Sequence, residues 1–380
     1  MKPIRKITNI EQLYEDVQSA TNAYAIQFIL KTSSIKNKDI IECVIRRVIK
    51  ECPEFNVYLR RGKFYPQQHP ISIQDIKIKD SIVYSLDLFN QKIDLISHSM
   101  EVYLVKAPKS DYLVFRFAHS AMDGKSALLF MQNIVNLLGG KKPLKCKKAI
   151  SEKDFLKKLD YYKKKEPKLP RIIHDEASVI KQYTTRWQVV QLDKYVSGII
   201  AKLSCLLARE FESDRIRVMV PVDLRRYDGN NPYIGNLTLP VFLDVDKSDS
   251  YTKINGELLY SLKNSKELNI SNTLNNYYCR MPSLLRKTGI KIGCMANRHY
   301  NKFSVGAVIS HLGRIDLNEY SNKYFKVKDF VDLSIQQPLG AFSIVIVECS
   351  HKTNISIGYY GDQFTEEYMK SLIKKIERLA

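Results

Sequence analysis

No run in this chain approaches the ~18 consecutive apolar residues of a membrane-spanning helix, so a transmembrane segment is not expected. Met1-Lys2-Pro3-Ile4-Arg5-Lys6 carries positive charge with no apolar stretch behind it, and no secretory leader is read there. The seven cysteines, at 43, 52, 146, 205, 279, 294 and 349, form no CxxC pair and no Cys–His grouping with zinc spacing. That pattern argues against a metal site and fits reduced, buried thiols in a cytoplasmic protein. A GxSxG nucleophile elbow is absent, and no internal repeat is visible. Negative charge is also scarce: 40 acidic against 60 basic residues leave a formal charge of +20. The densest basic run, Lys141 to Lys148, has no interleaved aromatics and no nucleic-acid motif, so a nucleic-acid partner is not expected. Most of these lysines read as a solvated surface, and the excess favours some anionic partner.

What is present suits a large core: 380 residues, enough for two domains of about 150–200 each. Residues 38–51 are the clearest helix, with Ile40, Ile41, Val44, Ile45, Val48 and Ile49 on one face and Pro53 beyond the end. Strands are expected at Asn56–Arg60 and Lys63–Tyr65, turning at Arg61-Gly62, and at Val102–Val105 and Leu113–Ala118, pairing across Pro108-Lys109-Ser110-Asp111. Ala127, Leu128, Met131, Ile134, Val135 and Leu138 recur at helical spacing until Gly139-Gly140. Residues 139–171, with Gly-Gly, three prolines and many lysines, read as an interdomain linker. Beyond them come strands at Arg186–Leu192, Arg217–Val222, Leu237–Val245, Ala307–Ile309, Phe342–Glu348 and Ile355–Tyr360. A helix carries Val196, Ile199, Ile200, Leu203, Leu206 and Leu207, and another spans Glu366–Leu379. Helices and strands mix without a strict βαβ rhythm, which predicts α/β layers with mixed sheets.

The chemistry concentrates at His119-Ser120-Ala121-Met122-Asp123-Gly124, where the buried strand meets the amphipathic helix. An imidazole at a strand end is well suited to take a proton near neutral pH. A lone histidine there is commonly structural, and Asp-Gly is an ordinary turn signal. Two later segments change the weighing: Pro221-Val222-Asp223-Leu224-Arg225, and Ile234-Gly235-Asn236-Leu237. HxxxDG, then PVDLR about a hundred residues on, then GN, resembles the condensation-domain and chloramphenicol-acetyltransferase-like superfamily. Ser310-His311-Leu312-Gly313-Arg314 is similar to its SNLGR-type strand, with His311 where asparagine is usual. The first position of the longer HHxxxDG form is Ala118 here, which favours the stand-alone acyltransferase branch.

The resemblance implies two similar α/β subdomains in a V around a central channel, expected at residues 1–165 and 175–380. It implies an acyltransferase in which His119 is the general base, deprotonating a hydroxyl or amine that attacks a thioester. The co-substrate would be an acyl-CoA or an acidic acyl or peptidyl carrier protein with a phosphopantetheinyl thioester, with no tightly bound cofactor and no metal. Asp123 and Arg225 would form a salt bridge that supports the site, with Gly124 allowing close packing. Asn236 and Ser310 stay open as oxyanion donors or local caps, and His311 as a channel residue. Trp187, Tyr227 and Tyr233 are expected in the core or channel wall. A stand-alone peptide-synthetase-type condensation enzyme and a non-catalytic carrier-binding module are the alternatives.

Overall fold

The computed structural model describes residues 2–379 except 22–23, 68, 70, 80–82, 160–172, 175–183, 270–280, 301 and 339. The boundary expected between residues 165 and 175 therefore falls almost wholly outside the described residues. Two mixed sheets dominate. In the first, the strands run in the order Val327–Leu333, Ala25–Thr32, Ser110–Ala118, Met100–Ala107, Ile73–Lys77. In the second the order is Thr238–Asp246, Arg215–Asp223, Val305–Ile315, Gly340–Cys349, Lys352–Tyr360, Thr185–Leu192. The second is parallel only where Val305–Ile315 meets Arg215–Asp223 and Gly340–Cys349. The first is parallel only at its Ile73–Lys77 edge. The expected fold class, α/β with mixed sheets, is what the chain adopts.

The strand Val327–Leu333 belongs in sequence to the second half but pairs antiparallel with Ala25–Thr32 of the first sheet, Asp332 opposite Phe28. Neither strand is among the predicted ones. The strand Gly340–Cys349 is buried along its whole length because both its faces are covered. Ile344 and Ile346 join the core under the second sheet. Val345, Val347 and Cys349 join the core that holds Phe28, Phe117, Phe130 and the helix Gly124–Leu138. The two halves are thus linked by a shared strand and a shared core.

Several elements follow the expected physics. The helix Lys38–Glu51 buries Ile41, Ile45 and Val48. Arg61 and Gly62 both take positive φ, 49° and 69°, as a two-residue hairpin turn requires. The turn expected over Pro108 to Asp111 is tighter: Ala107 pairs with Ser110, so only Pro108 and Lys109 turn, and Asp111 accepts a hydrogen bond from Ile35 N instead. Helix Asn9–Ala20 was not expected, although Thr8-x-x-Glu11 forms a complete capping box.

The presumed linker is a docked strap at its start. Lys147 N donates to Pro232 O and Ile150 N to Ile234 O, while Phe155 and Leu156 of the short helix Glu152–Lys158 pack with Leu224 and Tyr233. Its lysines mask apolar residues at helical spacing, which is why composition alone read it as free. The remainder, residues 160–171, lies outside the described residues. This strap explains Gly235, which has φ +148° and would place a Cβ 2.4 Å from Ile150 O. Gly235→Ala is expected to cost on the order of 3 kcal/mol or more, through backbone strain and overpacking. Urea denaturation would read this as a lower midpoint; a loss under ~1 kcal/mol would mean that strap and glycine are not held together.

Candidate functional site

His119 leaves the strand Ser110–Ala118 in a tight turn, and Asp123 then caps the helix Gly124–Leu138 by accepting from Ser126 N. The imidazole Nδ1 lies 3.2 Å from Met122 O. A carbonyl oxygen can only accept, so Nδ1 carries the proton and the lone pair sits on Nε2. The ring stacks on Tyr14 (centroids 4.5 Å apart, 21° between planes) and on Tyr24 (5.5 Å, 22°). Burial pushes the imidazole pKa below its ordinary value, opposed by the Met122 carbonyl and the Asp123 charge. Burial likewise drives the Tyr14 phenol far above its usual range, so it stays neutral.

Asp123 does not pair with His119. Arg225 grips it bidentately, Nη1 to Oδ2 at 2.9 Å and Nη2 to Oδ1 at 3.1 Å. Leu237 N adds a bond to Oδ2 and Ser126 Oγ lies 2.9 Å from Oδ1. Burial raises this carboxyl, but the Arg225 charge and these donors outweigh it and hold the pKa below the ordinary value. Arg225 is equally committed: Nε donates to Tyr233 O, Nη1 also to Asp223, and Nη2 also to Ser126 Oγ, Tyr233 O and Gly235 O. So the PVDLR and GN segments both close on the turn that carries His119. Gly124 packs closely on the second sheet: a Cβ there would lie 3.2 Å from Leu312 Cδ2, so the leucine would have to shift by a few tenths of an ångström.

A cavity of about 360 Å³ lies between the two sheets, lined by His119, Asp123, Gly124, Asn236, Ser310 and His311 among others. The structure thus gathers the sequence-predicted site residues around one space, with Arg225 behind Asp123. Their situations differ. Asn236 Nδ2 donates to Glu11 Oε1 at 3.2 Å, and its Oδ1 has no partner. Ser310 sits at the level of Val345 across the parallel pair. The His311 side chain is 29% exposed, with Nε2 3.8 Å from Glu348, too far for the hydrogen bond that would orient it. Burial lowers the His311 pKa, with Glu348 opposing and Lys125 and Arg314 adding to the fall. Of the three aromatics expected in core or wall, Trp187 donates to Ser334 O, Tyr227 OH to Glu267, and Tyr233 is buried beside Phe155.

Missed in the sequence is the N-terminal clamp. Arg5 pairs bidentately with the fully buried Glu11 (2.6 and 2.7 Å) and also reaches Ala121 O at 3.2 Å. It fixes the helix that brings Tyr14 onto His119 and Glu11 onto Asn236. The capping box could have placed the helix; only the fold places the clamp.

This two-sheet architecture has counterparts among solved structures. The starter condensation domain of rhizomide synthetase RzmA, as a double mutant in complex with C8-CoA and Leu-SNAC, matches 99% of this chain and 94% of its own at a TM-score of 0.67 and 14% identity. The condensation domain of the Monacolin K polyketide synthase MokA matches 98% and 96%, at 0.66 and 10%. The fold is that of a condensation domain. No family model matches the sequence, and no curated protein matches it. Among the described residues, no helix is long and apolar enough to cross a membrane, and no group of three or more His, Cys, Asp or Glu could hold a metal ion.

The ion pair makes a test of its own. Arg225→Ala leaves Asp123 buried without its cation and is expected to cost about 3–5 kcal/mol. Because the folded pKa of Asp123 is depressed, the stability it contributes is present above the ordinary carboxylate range and lost as the pH falls through the folded value. Denaturation of wild type and variant should therefore differ most at neutral pH and converge on acidification; a gap independent of pH would contradict the assignment.

Proposed function

We propose that the protein is a thioester-dependent acyltransferase, moving an acyl group from CoA or a carrier-protein thioester to a hydroxyl or amine, with His119 as general base. The observation that carries this reading is the Met122 carbonyl on Nδ1, which leaves Nε2 as a free proton acceptor on a residue that lines the inter-sheet cavity. The RzmA domain of the same fold holds C8-CoA and Leu-SNAC, so in that protein an acyl thioester and an aminoacyl thioester are bound together. This supports the same donor class here.

In this mechanism the acceptor O–H or N–H donates to Nε2 while its heteroatom attacks the thioester carbonyl. Collapse of the tetrahedral intermediate breaks the C–S bond, and the imidazolium returns the proton to the departing thiolate. Acceptor and acyl thioester become ester or amide and thiol, with no covalent enzyme intermediate. A general base contributes about 10²–10⁴-fold, and holding two substrates in one cavity adds a proximity term. The depressed pKa keeps the base unprotonated at neutral pH. Asp123, Arg225 and Gly124 support the site by fixing the turn. Ser310 is the better candidate for a donor to the developing oxyanion, because the Asn236 amide already serves Glu11. A free-standing condensation enzyme using carrier-loaded substrates would use His119 identically. A non-catalytic binding module would have no need of a tautomer fixed in this way.

Thiol release from a panel of acyl-CoA thioesters, with mixed alcohols and amines, tests the proposal. Acceptor-stimulated release should fall by about 10²–10⁴-fold in His119→Ala. In the wild type, kcat/KM should hold down to the ordinary imidazole range and fall only below it, since burial lowers the folded pKa. Full activity in His119→Ala would refute the general base, and failure with both CoA and carrier-bound donors would refute acyl transfer.

A further inference from the structure

The cavity that His119 enters also contains a carboxyl that the catalytic proposal does not use. Asp332, 7% exposed, lies on the strand that the second half lends to the first sheet. The other carboxylates lining the cavity, Asp123 and Asp223, share Arg225. Among the described residues no cation pairs with Asp332. The basic side chains of the neighbouring strands have their own partners or places. Arg116 goes to Glu101, Gln27 and Gln91 O, and Lys31 lies in register with Asp329. At the other side of the cavity, Lys125 donates to Leu312 O. Leu333, Ile335, Ile344 and Val345 make the surroundings apolar.

A carboxyl buried in such a place is costly to ionise. Burial drives the Asp332 pKa well above its ordinary value, opposed only by a hydrogen bond from the Gln27 backbone. A cation entering the cavity would supply the counter-charge that the ionised carboxyl lacks. We propose that Asp332 forms a binding subsite for a cationic amine, so that the molecule acylated at His119 carries a second, ammonium-bearing end. This rests on the acyl-transfer reading for the word acylated, but not for the binding site itself.

The spacing sets the length of that molecule. His119 follows Ala118, which pairs with Ala25, and Asp332 pairs with Phe28 on the other side of the same strand. Two strand spacings across and about four residues along give a backbone separation of roughly 15 Å. With both side chains entering one cavity, the gap left suits a chain of about six carbons between the reacting group and the ammonium. Burial disfavours the bare carboxylate, so an ammonium paired with Asp332 lowers the carboxyl pKa, and protons leave it across the pH range between the free and the bound values.

The probes are 6-amino-1-hexanol and its uncharged counterpart 1,6-hexanediol, titrated calorimetrically into the full chain with no thioester present. The amino alcohol should bind at least tenfold tighter, with proton release at some pH of an acidic-to-neutral series, detected as a dependence of the heat on buffer ionisation enthalpy. Asp332→Asn keeps shape and hydrogen bonding and removes the charge; it should abolish both the preference and the proton release. Equal binding of the two probes by the wild type, or a preference that survives in Asp332→Asn, would overturn the subsite. Should that variant fail to fold, the absence of proton release in the wild type at every pH of an acidic-to-neutral series would overturn it equally. An amino alcohol that binds with proton release but is never acylated would support the subsite while counting against acyl transfer.

Discussion

The bidentate pair between Arg225 and Asp123 is the constraint on which the site depends. A buried ion pair is not stabilising by default, because desolvating two charges offsets their attraction. Here the cost is met by saturation: each Asp123 oxygen accepts more than one hydrogen bond, and the Arg225 nitrogens also reach Asp223, Ser126, Tyr233 O and Gly235 O. These partners come from the histidine turn and from the segments flanking the second sheet. Arg225 therefore sets where the end of one sheet sits relative to the other, and the cavity between them inherits its shape from that junction.

A second layer sets the chemical state of His119 rather than its position. The Arg5–Glu11 clamp holds the first helix against the turn, and Tyr14 covers the imidazole from that helix. Covering removes water, which disfavours the imidazolium, while the Met122 carbonyl selects the tautomer. Geometry and protonation state thus come from different parts of the chain: the PVDLR and GN segments for the first, the amino-terminal helix for the second.

Legibility in the sequence follows the range of the interaction. The helix Gly124–Leu138 and the hairpin at Arg61-Gly62 were readable because their signals are local: apolar spacing in one, a turn dipeptide in the other. The histidine turn and its arginine were readable through motif order, although they stand a hundred residues apart. The strands Ala25–Thr32 and Val327–Leu333 were not read, and no local pattern shows that they pair across some 300 residues. Residues 147–158 looked like a linker because lysines surround Ile150, Phe155 and Leu156, whose burial depends on a distant partner surface. Asp332 is the same lesson in charge: that no cation among the described residues pairs with it is visible only in three dimensions.

The most direct test of this account is the nitrogen NMR spectrum of histidine-labelled protein at neutral pH, with His119 assigned by its loss in a His119→Gln variant. A neutral ring protonated on Nδ1, with Nε2 showing the shift of a free lone pair, is the predicted result. An Nε2-protonated ring, or an imidazolium at pH 7, would mean that the turn does not present a base to the cavity, and the central claim would fall.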